Sequence, residues 1–204
     1  MPQIIRRLFE QEFSARLGVP ESIAVNSGTS ALVGALLSLD LRGGEVLTTP
    51  FTFISTANAI LLAGGTPVFV DVREDNHLID ERLVEAAVNE RTKAILPVHL
   101  FGRVCEMDSI VRIAERHSLS VVEDAAQALG ATYQSRIAGT IGNLGCFSFY
   151  KTKNLSTFEG GMISVNRGGG SKIRCLVDPI ANREAGFPCV GHNFRMPEPC
   201  ALIG

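Results

Sequence analysis

Apolar residues in this chain recur at two spacings, and the alternation between the two is what organises it. Short runs in which nearly every residue is apolar or β-branched fall at residues 22–26, 45–49, 67–72, 93–100, 120–123, 145–149 and 161–165. Each reads as a strand buried on both faces. Segments of helical spacing lie between them. Residues 29–39 are apolar on nearly every face, which predicts a buried helix, and 54–63 predict another. Asp80 caps a helix running to Val88, with Leu83, Ala86 and Ala87 along one side. Residues 106–117 place Met107, Ile110, Val111 and Ala114 on one stripe, and an amphipathic helix at 4–17 carries Ile5, Leu8, Phe9, Phe13 and Leu17. Strands separated by helices of about ten residues pair in parallel through crossovers. The expected fold is therefore α/β: a three-layer α/β/α sandwich on a mostly parallel seven-stranded sheet, spanning 20–166 and preceded by an N-terminal helix within 1–19. After Asn166 the pattern fails. Arg167-Gly168-Gly169-Gly170-Ser171 reads as a flexible link, and Pro179, Pro188, Pro197 and Pro199 punctuate an irregular tail, 167–204, too aperiodic for a second domain.

Composition narrows the class. In 204 residues, 46% are hydrophobic and 20% charged, enough apolar matter for a large core, so disorder is excluded. Lys and Arg number 19 against 21 Asp and Glu, a net charge of −2 without the basic excess of a nucleic-acid surface. The apolar runs fall far short of the ~20 residues of a membrane span. Met1-Pro2-Gln3-Ile4-Ile5-Arg6-Arg7 carries no cleavable signal pattern, and a cytoplasmic location is expected. Cys105, Cys146, Cys175, Cys189 and Cys200 form an odd set without a CxxC pair, mostly among apolar neighbours, and read as free thiols acting as small hydrophobes. With His77, His99, His117 and His192 equally scattered, no metal site is expected.

In an open parallel sheet, ligands gather at the carboxyl ends of the strands. The first strand ends in Asn26-Ser27-Gly28-Thr29-Ser30, opening directly into a helix. Free backbone N–H groups, the helix dipole and the hydroxyls of Ser27, Thr29 and Ser30 suit an anion there; a plain helix cap has the same composition. Neither GxxxxGK[ST] nor GxGxxG is present, which argues against a P-loop protein or a nicotinamide-dependent oxidoreductase. The second strand ends in Thr49-Pro50-Phe51-Thr52-Phe53, an aromatic that serves either a ligand or the core. The fifth runs into Glu123-Asp124-Ala125-Ala126-Gln127, an acid where an apolar strand ends, needing a cap hydrogen bond or a cationic ligand. Past the sixth come Lys151 and Lys153, ahead of Glu159-Gly160-Gly161. One ligand unites an anion cradle, a flat stacking surface, a carboxylate and an amine: pyridoxal 5′-phosphate (PLP).

At the level of whole motifs the chain resembles the DegT/DnrJ/StrS family of fold-type-I PLP aminotransferases acting on nucleotide-linked keto sugars. The resemblance runs from Phe9 onward. It rests on Asn26-Ser27-Gly28-Thr29-Ser30-Ala31-Leu32, Pro50-Phe51-Thr52-Phe53-Ile54-Ser55-Thr56, Pro97-Val98-His99-Leu100-Phe101-Gly102, Val122-Glu123-Asp124-Ala125-Ala126-Gln127, Phe147-Ser148-Phe149-Tyr150-Lys151-Thr152-Lys153-Asn154 and Gly191-His192-Asn193-Phe194-Arg195-Met196. The resemblance implies that Gly28, Thr29 and Ser148 hold the phosphate and that Phe53 stacks on the ring. Asp124 would pair with the pyridinium nitrogen, and Gln127 would bond the phenolic oxygen. Lys153, rather than Lys151, falls at the Schiff-base position, and Asn193 would reach the cofactor of a neighbouring subunit, implying a homodimer. A sister branch with histidine at the lysine position runs a dehydration; lysine here favours amino transfer, with glutamate as donor and a nucleotide-linked keto sugar as acceptor, in amino-sugar or cell-surface polysaccharide synthesis.

The chain departs from the family in length, members being nearly twice as long. Most of the segment before Phe9 and the whole C-terminal small domain are expected to be missing, and 168–188 lack the family's usual signature. Two readings follow. One is a shortened sugar aminotransferase that keeps its PLP-binding domain; the other is a non-catalytic PLP-binding or regulatory piece that associates with a partner through its exposed face.

Overall fold

The computed structural model describes residues 4–180 and 189–204; the readings that fell on Met1-Pro2-Gln3 and Pro188 lie outside the described residues. All seven expected strands are present: β1 (Glu21–Val25), β2 (Glu45–Thr48), β3 (Thr66–Phe69), β4 (Thr92–Ile95), β5 (Ser120–Asp124), β8 (Leu144–Ser148) and β9 (Gly161–Val165). They form one sheet in the order β1-β9-β8-β5-β4-β2-β3. From β8 through β5, β4 and β2 to β3 every pairing is parallel. Only β9 runs against its neighbours β1 and β8.

Period-2 alternation sends consecutive residues of each inner strand to opposite faces. Val46, Ala94 and Val122 join a cluster with Leu32, Leu36 and Ile60, supplied by α2 (Gly28–Leu37) and α3 (Ser55–Leu62). Their neighbours Leu47, Ile95 and Val121 pack instead with Val84, Met107 and Ile110 of α4 (Glu81–Ala87) and α5 (Met107–Arg116). On that second face, towards β8 and β9, α1 (Ile4–Leu17) lays Phe9 and Phe13 against Phe147 and Phe149, ring centroids 5.3–5.6 Å apart. Helices thus cover both faces, as the doubly apolar strands require. Asp80 caps α4 as expected, its side chain accepting from the Arg82 N–H.

The glycine run is where the expectation of a flexible link fails. Helix α6 (Gly170–Val177) starts inside it, and Ile173 and Val177 join the α2 cluster. Gly170 is buried, and a Cβ there would lie 1.7 Å from Glu21 Oε2, so this glycine serves close packing rather than flexibility. A second helix, α7 (Glu198–Ile203), follows with Pro199 in its first turn, where its missing N–H costs nothing. A small hairpin, β6 (Thr132–Tyr133) with β7 (Arg136–Ile137), was not expected either.

The cysteines need a correction. Cys175 and Cys189 form a disulfide, while Cys105, Cys146 and Cys200 are free. The disulfide ties α6 to the irregular stretch that begins at Cys189. That stretch is held again by His192 N–H to Leu176 O (2.6 Å), Phe194 N–H to Val177 O (2.9 Å) and Asn26 N–H to Phe194 O (2.7 Å). Among the described residues no helix is long and apolar enough to cross a membrane.

Buried charge fastens α1 and α6 to the sheet edge. Arg6 and Asp178 pair at 2.7 Å with both side chains 3% exposed, and Arg195 reaches the other Asp178 oxygen at 3.3 Å. Arg174 bridges Glu10 (3.0 Å) and Glu21 (2.8 Å). Removing one member of such a pair strands its partner's charge away from water, a loss of about 3–5 kcal/mol. Asp178→Ala takes the shortest ion pair from Arg6, which keeps Glu10 at 3.9 Å, and is expected to lower the unfolding free energy by up to that amount, read by urea titration; a change under ~1 kcal/mol would show that the remaining partners of Arg6 or water compensate.

Candidate active site

A cavity of ≈ 390 Å³ opens at the carboxyl ends of the parallel strands, a volume suited to a small cofactor. Five segments wall it: Ser27, Gly28 and Thr29 between β1 and α2; Thr52, Phe53, Ser55 and Thr56 at the start of α3; Val98 and His99 after β4; Asp124, Ala126 and Gln127 after β5; and Ser148, Tyr150, Lys153 and Glu159 after β8.

At the α2 start, the Ser27 hydroxyl accepts from Ser30 N–H at 3.1 Å, capping the helix. The N–H groups of Gly28 and Thr29 are then left without a helical acceptor. Gly28 sits so close to the β8 end that a Cβ would lie 2.7 Å from Ser148 Cβ; a side chain there would push the two segments apart. Thr29 Oγ1 and Ser55 Oγ bond at 2.8 Å, joining the first turns of α2 and α3. Such an arrangement can seat an anion.

Asp124 closes β5, 5% exposed. Its Oδ1 accepts from Ala126 N–H (3.2 Å) and its Oδ2 from the Thr56 hydroxyl (2.9 Å). Burial pushes its pKa up; the Ala126 and Thr56 bonds and the positive charge of Lys153 pull it back, and burial prevails. No cationic side chain lies within ion-pair distance of it among the described residues. Its neighbour Glu123 points to the other face and is fully satisfied. It accepts from His99 Nε2 (2.8 Å) and from the N–H groups of Gly139 (2.8 Å), Ile141 (2.7 Å) and Gly142 (2.6 Å). Cys105 N–H points at His99 Nδ1 (3.3 Å), which needs a lone pair there, so the ring carries its proton on Nε2 and donates it to Glu123.

The two candidate lysines part company. Lys153 lines the cavity, held by a turn in which its N–H bonds Tyr150 O (2.8 Å), and its amine makes no hydrogen bond or ion pair among the described residues. Lys151 is exposed, with its ammonium over the Tyr150 ring at 5.6 Å and outside the cavity wall. Gln127 Oε1 accepts from Phe101 N–H (2.9 Å), which leaves the side-chain NH₂, a pure donor, for a ligand. Phe53 presents a 68% exposed ring at the cavity. Asn193, by contrast, is exposed and not part of this wall. Gly28, Thr29, Phe53, Asp124, Gln127, Ser148 and Lys153 are therefore brought together, and Asn193 is not. Thr56, although inside a quoted motif, carried no expected role. Its spacing of four from Thr52, beside a strand that ends in an acid, was the available signal.

A parallel sheet that carries a helix-start anion seat, a desolvated acid and an unpaired lysine in one cavity defines a PLP-enzyme type of large domain. These residues fit that cofactor: the Gly28 approach leaves room for a phosphate at the helix start, the acid lacks a cation and the amine lacks a partner. Comparison agrees, for residues 5–204 match the DegT/DnrJ/EryC1/StrS aminotransferase family, and the chain belongs to it. GDP-perosamine synthase of Caulobacter vibrioides is 44% identical over 202 residues, covering 96% of this chain and 54% of the relative. Among solved structures, S. venezuelae DesV in complex with a ketimine intermediate superposes with a TM-score of 0.93 at 38% identity, covering 98% of this chain and 54% of DesV. Spr1654 of Streptococcus pneumoniae in its PLP form gives 0.89 at 27% identity, covering 98% and 57%. The chain spans about half the length of the relatives it matches.

The raised pKa of Asp124 has a sign that unfolding can read. Because the folded carboxyl keeps its proton longer than the unfolded one, stability without ligand falls as pH rises from the ordinary Asp range through the raised folded value. Asp124→Asn lacks that loss. Its melting temperature relative to wild type, without PLP, is expected to climb over this window; a relative decline would mean that the bonds to Asp124 outweigh its burial.

Proposed function

We propose that this chain is the PLP-binding part of an aminotransferase that moves an amino group from an amino acid, glutamate by resemblance, to a nucleotide-linked keto sugar. The observation that supports it best is the sharing of one cavity wall by the unpaired Lys153 amine and the cation-free Asp124 carboxylate. PLP, when bound, supplies an aldehyde and an electron-accepting ring.

Each wall residue then has a task. The N–H groups of Gly28 and Thr29, with the Ser148 hydroxyl, bind the phosphate at the positive end of α2. The exposed Phe53 ring would stack on the cofactor and keep water from one face. Asp124 holds the proton on the ring nitrogen, so that the carboxylate gains a cation and the ring keeps its electron affinity. The Gln127 NH₂ donates to the phenolic oxygen. Lys153 Nζ, the free amine of the wall, would be the group that holds the aldehyde and, when free of it, would move a proton at the substrate carbon as base and then acid.

A homodimer fits this reading, with the exposed Asn193 of one copy serving the phosphate of the other. So does a cytoplasmic site of action, where the Cys175–Cys189 bond would be open to reduction. Relatives differ in the sugar that their names give, GDP-perosamine synthase beside a UDP-N-acetyl-3-dehydro-alpha-D-glucosamine 3-aminotransferase, so the nucleotide and the aminated carbon are left to assay.

Incubation of the chain with PLP is expected to give a new visible absorption band, and borohydride treatment followed by peptide mapping a phosphopyridoxyl mark on Lys153. Lys153→Ala abolishes the mark, and Asp124→Asn weakens PLP retention by at least about tenfold, the scale of one lost charge-assisted contact. A mark on Lys151, or none, refutes the site.

A further inference from the structure

One hydrogen-bond chain in the cavity has no part in the scheme above. Thr56, 1% exposed, sits in the first turns of α3 with Oγ1 2.9 Å from Asp124 Oδ2 and 2.8 Å from Thr52 Oγ1. A threonine hydroxyl has one hydrogen to give and two lone pairs. An ionised Asp124 has none to give, so the Thr56 hydrogen goes to it. The second bond must then run the other way, with Thr52 donating to Thr56. The direction is fixed: Thr52 to Thr56 to Asp124.

The placement is more than the disposal of a buried hydroxyl. A helical threonine ordinarily bonds back to a carbonyl one turn earlier. Thr56 instead spans from α3 to the end of β5, although its own N–H is already anchored on Phe53 O at 3.1 Å. With Ala126 N–H on the other oxygen, Asp124 is gripped on both sides by donors that bring no charge. The titratable groups around it are otherwise engaged or distant from ion pairing. His99 bonds Glu123, Cys146 is buried with its pKa pushed up by that burial, and Lys153 stands at the cavity wall.

We propose that Thr56, backed by Thr52, is the positioning residue for Asp124: it orients the carboxylate towards the cavity and supplies one of the two hydrogen bonds that hold its charge while the site waits for a cationic ring nitrogen. The proposal rests on the PLP reading of the cavity.

The test is a set of substitutions with PLP as the probe. Thr56→Val keeps the shape and removes the donor; Thr56→Ser keeps the donor. The readouts are the dissociation constant of PLP and the pH midpoint of the bound-PLP absorbance, with thermal unfolding of the PLP-free protein alongside. Thr56→Val is expected to weaken PLP about tenfold or more, the scale of one hydrogen bond to a charged group, and to displace the absorbance midpoint. Thr56→Ser is expected to restore both. In an Asp124→Asn background, Thr56→Val should have no further effect on PLP, since the group it positions is gone. Unchanged binding and midpoint in Thr56→Val overturn the proposal, as do an equal loss in Thr56→Ser or a loss undiminished beside Asp124→Asn. If wild-type protein fails to bind PLP at all, the cavity reading falls and this role with it. Wild-type binding with an indifferent Thr56→Val refutes the role alone.

Discussion

Two acids stand side by side at the end of β5, and the difference in how they are satisfied governs the rest of the site. Removing a carboxylate from water is costly unless donors or a cation replace the water. Glu123 receives four N–H donors, three of them from the turn at Gly139, Ile141 and Gly142, and has nothing left to bind. It is a bolt that joins β5, the His99 segment and the turn before β8. Among the described residues Asp124 receives two donors and no ion pair. A buried acid left in that condition is a standing cost to the fold, which a cationic ligand would relieve. Strand alternation makes the distinction, sending one acid to the α5 face and the other towards α2 and α3.

Topology delivers the amine to the same place. β9 runs antiparallel to β8, so the chain leaves at Ser148 and returns at Gly161, opposite it in register. The intervening loop cannot drift to the far end of the sheet. It is confined to the carboxyl edge, pinned by Phe149 N–H to Gly160 O and Thr157 N–H to Phe149 O, and Lys153 lies within it. A parallel β9 would have needed a crossover, taking the loop away from Asp124. The single reversed strand in the sheet is thus also the one that places the lysine.

Most of the architecture was legible because its signal was local and physical. Strands apolar on both faces can only be the inside of a covered sheet, and an acid or a glycine at their ends stands out against that background. What was hidden depended on distance in space. Gly170 carries the same symbol whether a glycine gives flexibility or close approach, and only the Glu21 side chain pressed against it tells which. Cys175 and Cys189 are 14 residues apart, a spacing that says nothing about whether two thiols meet. The hairpin turns on Gln134 and Ser135, both at positive φ, rather than on the Asn-Gly or Asp-Gly pairs that announce such turns. Lys151 and Lys153 look alike in the chain. Motif resemblance preferred the second, and it is Lys153 that lines the cavity while Lys151 lies over the Tyr150 ring. Thr56 was hidden most completely, one of two adjacent hydroxyls that open α3, with nothing in the chain to say which of them faces Asp124.

The use of hydroxyls around Asp124 has a reason of its own. An arginine in place of Thr56 would satisfy the carboxylate more strongly, since charge-assisted bonds are about twice as strong as neutral ones. It would also neutralise it. A carboxylate already paired with a fixed cation attracts a second one weakly, and the proton on a bound ring nitrogen would lose its counter-charge. Neutral donors avoid that conflict: they lower the cost of keeping Asp124 ionised without cancelling its charge, so the attraction survives for the ligand. The same logic accounts for Lys153 standing near enough to pull the Asp124 pKa down, yet unpaired with it. A salt bridge between the two would quench both at once, the amine as nucleophile and the acid as counter-ion. On the proposed reading, one shared cavity without an ion pair between them leaves the amine for an aldehyde and the acid for a cation.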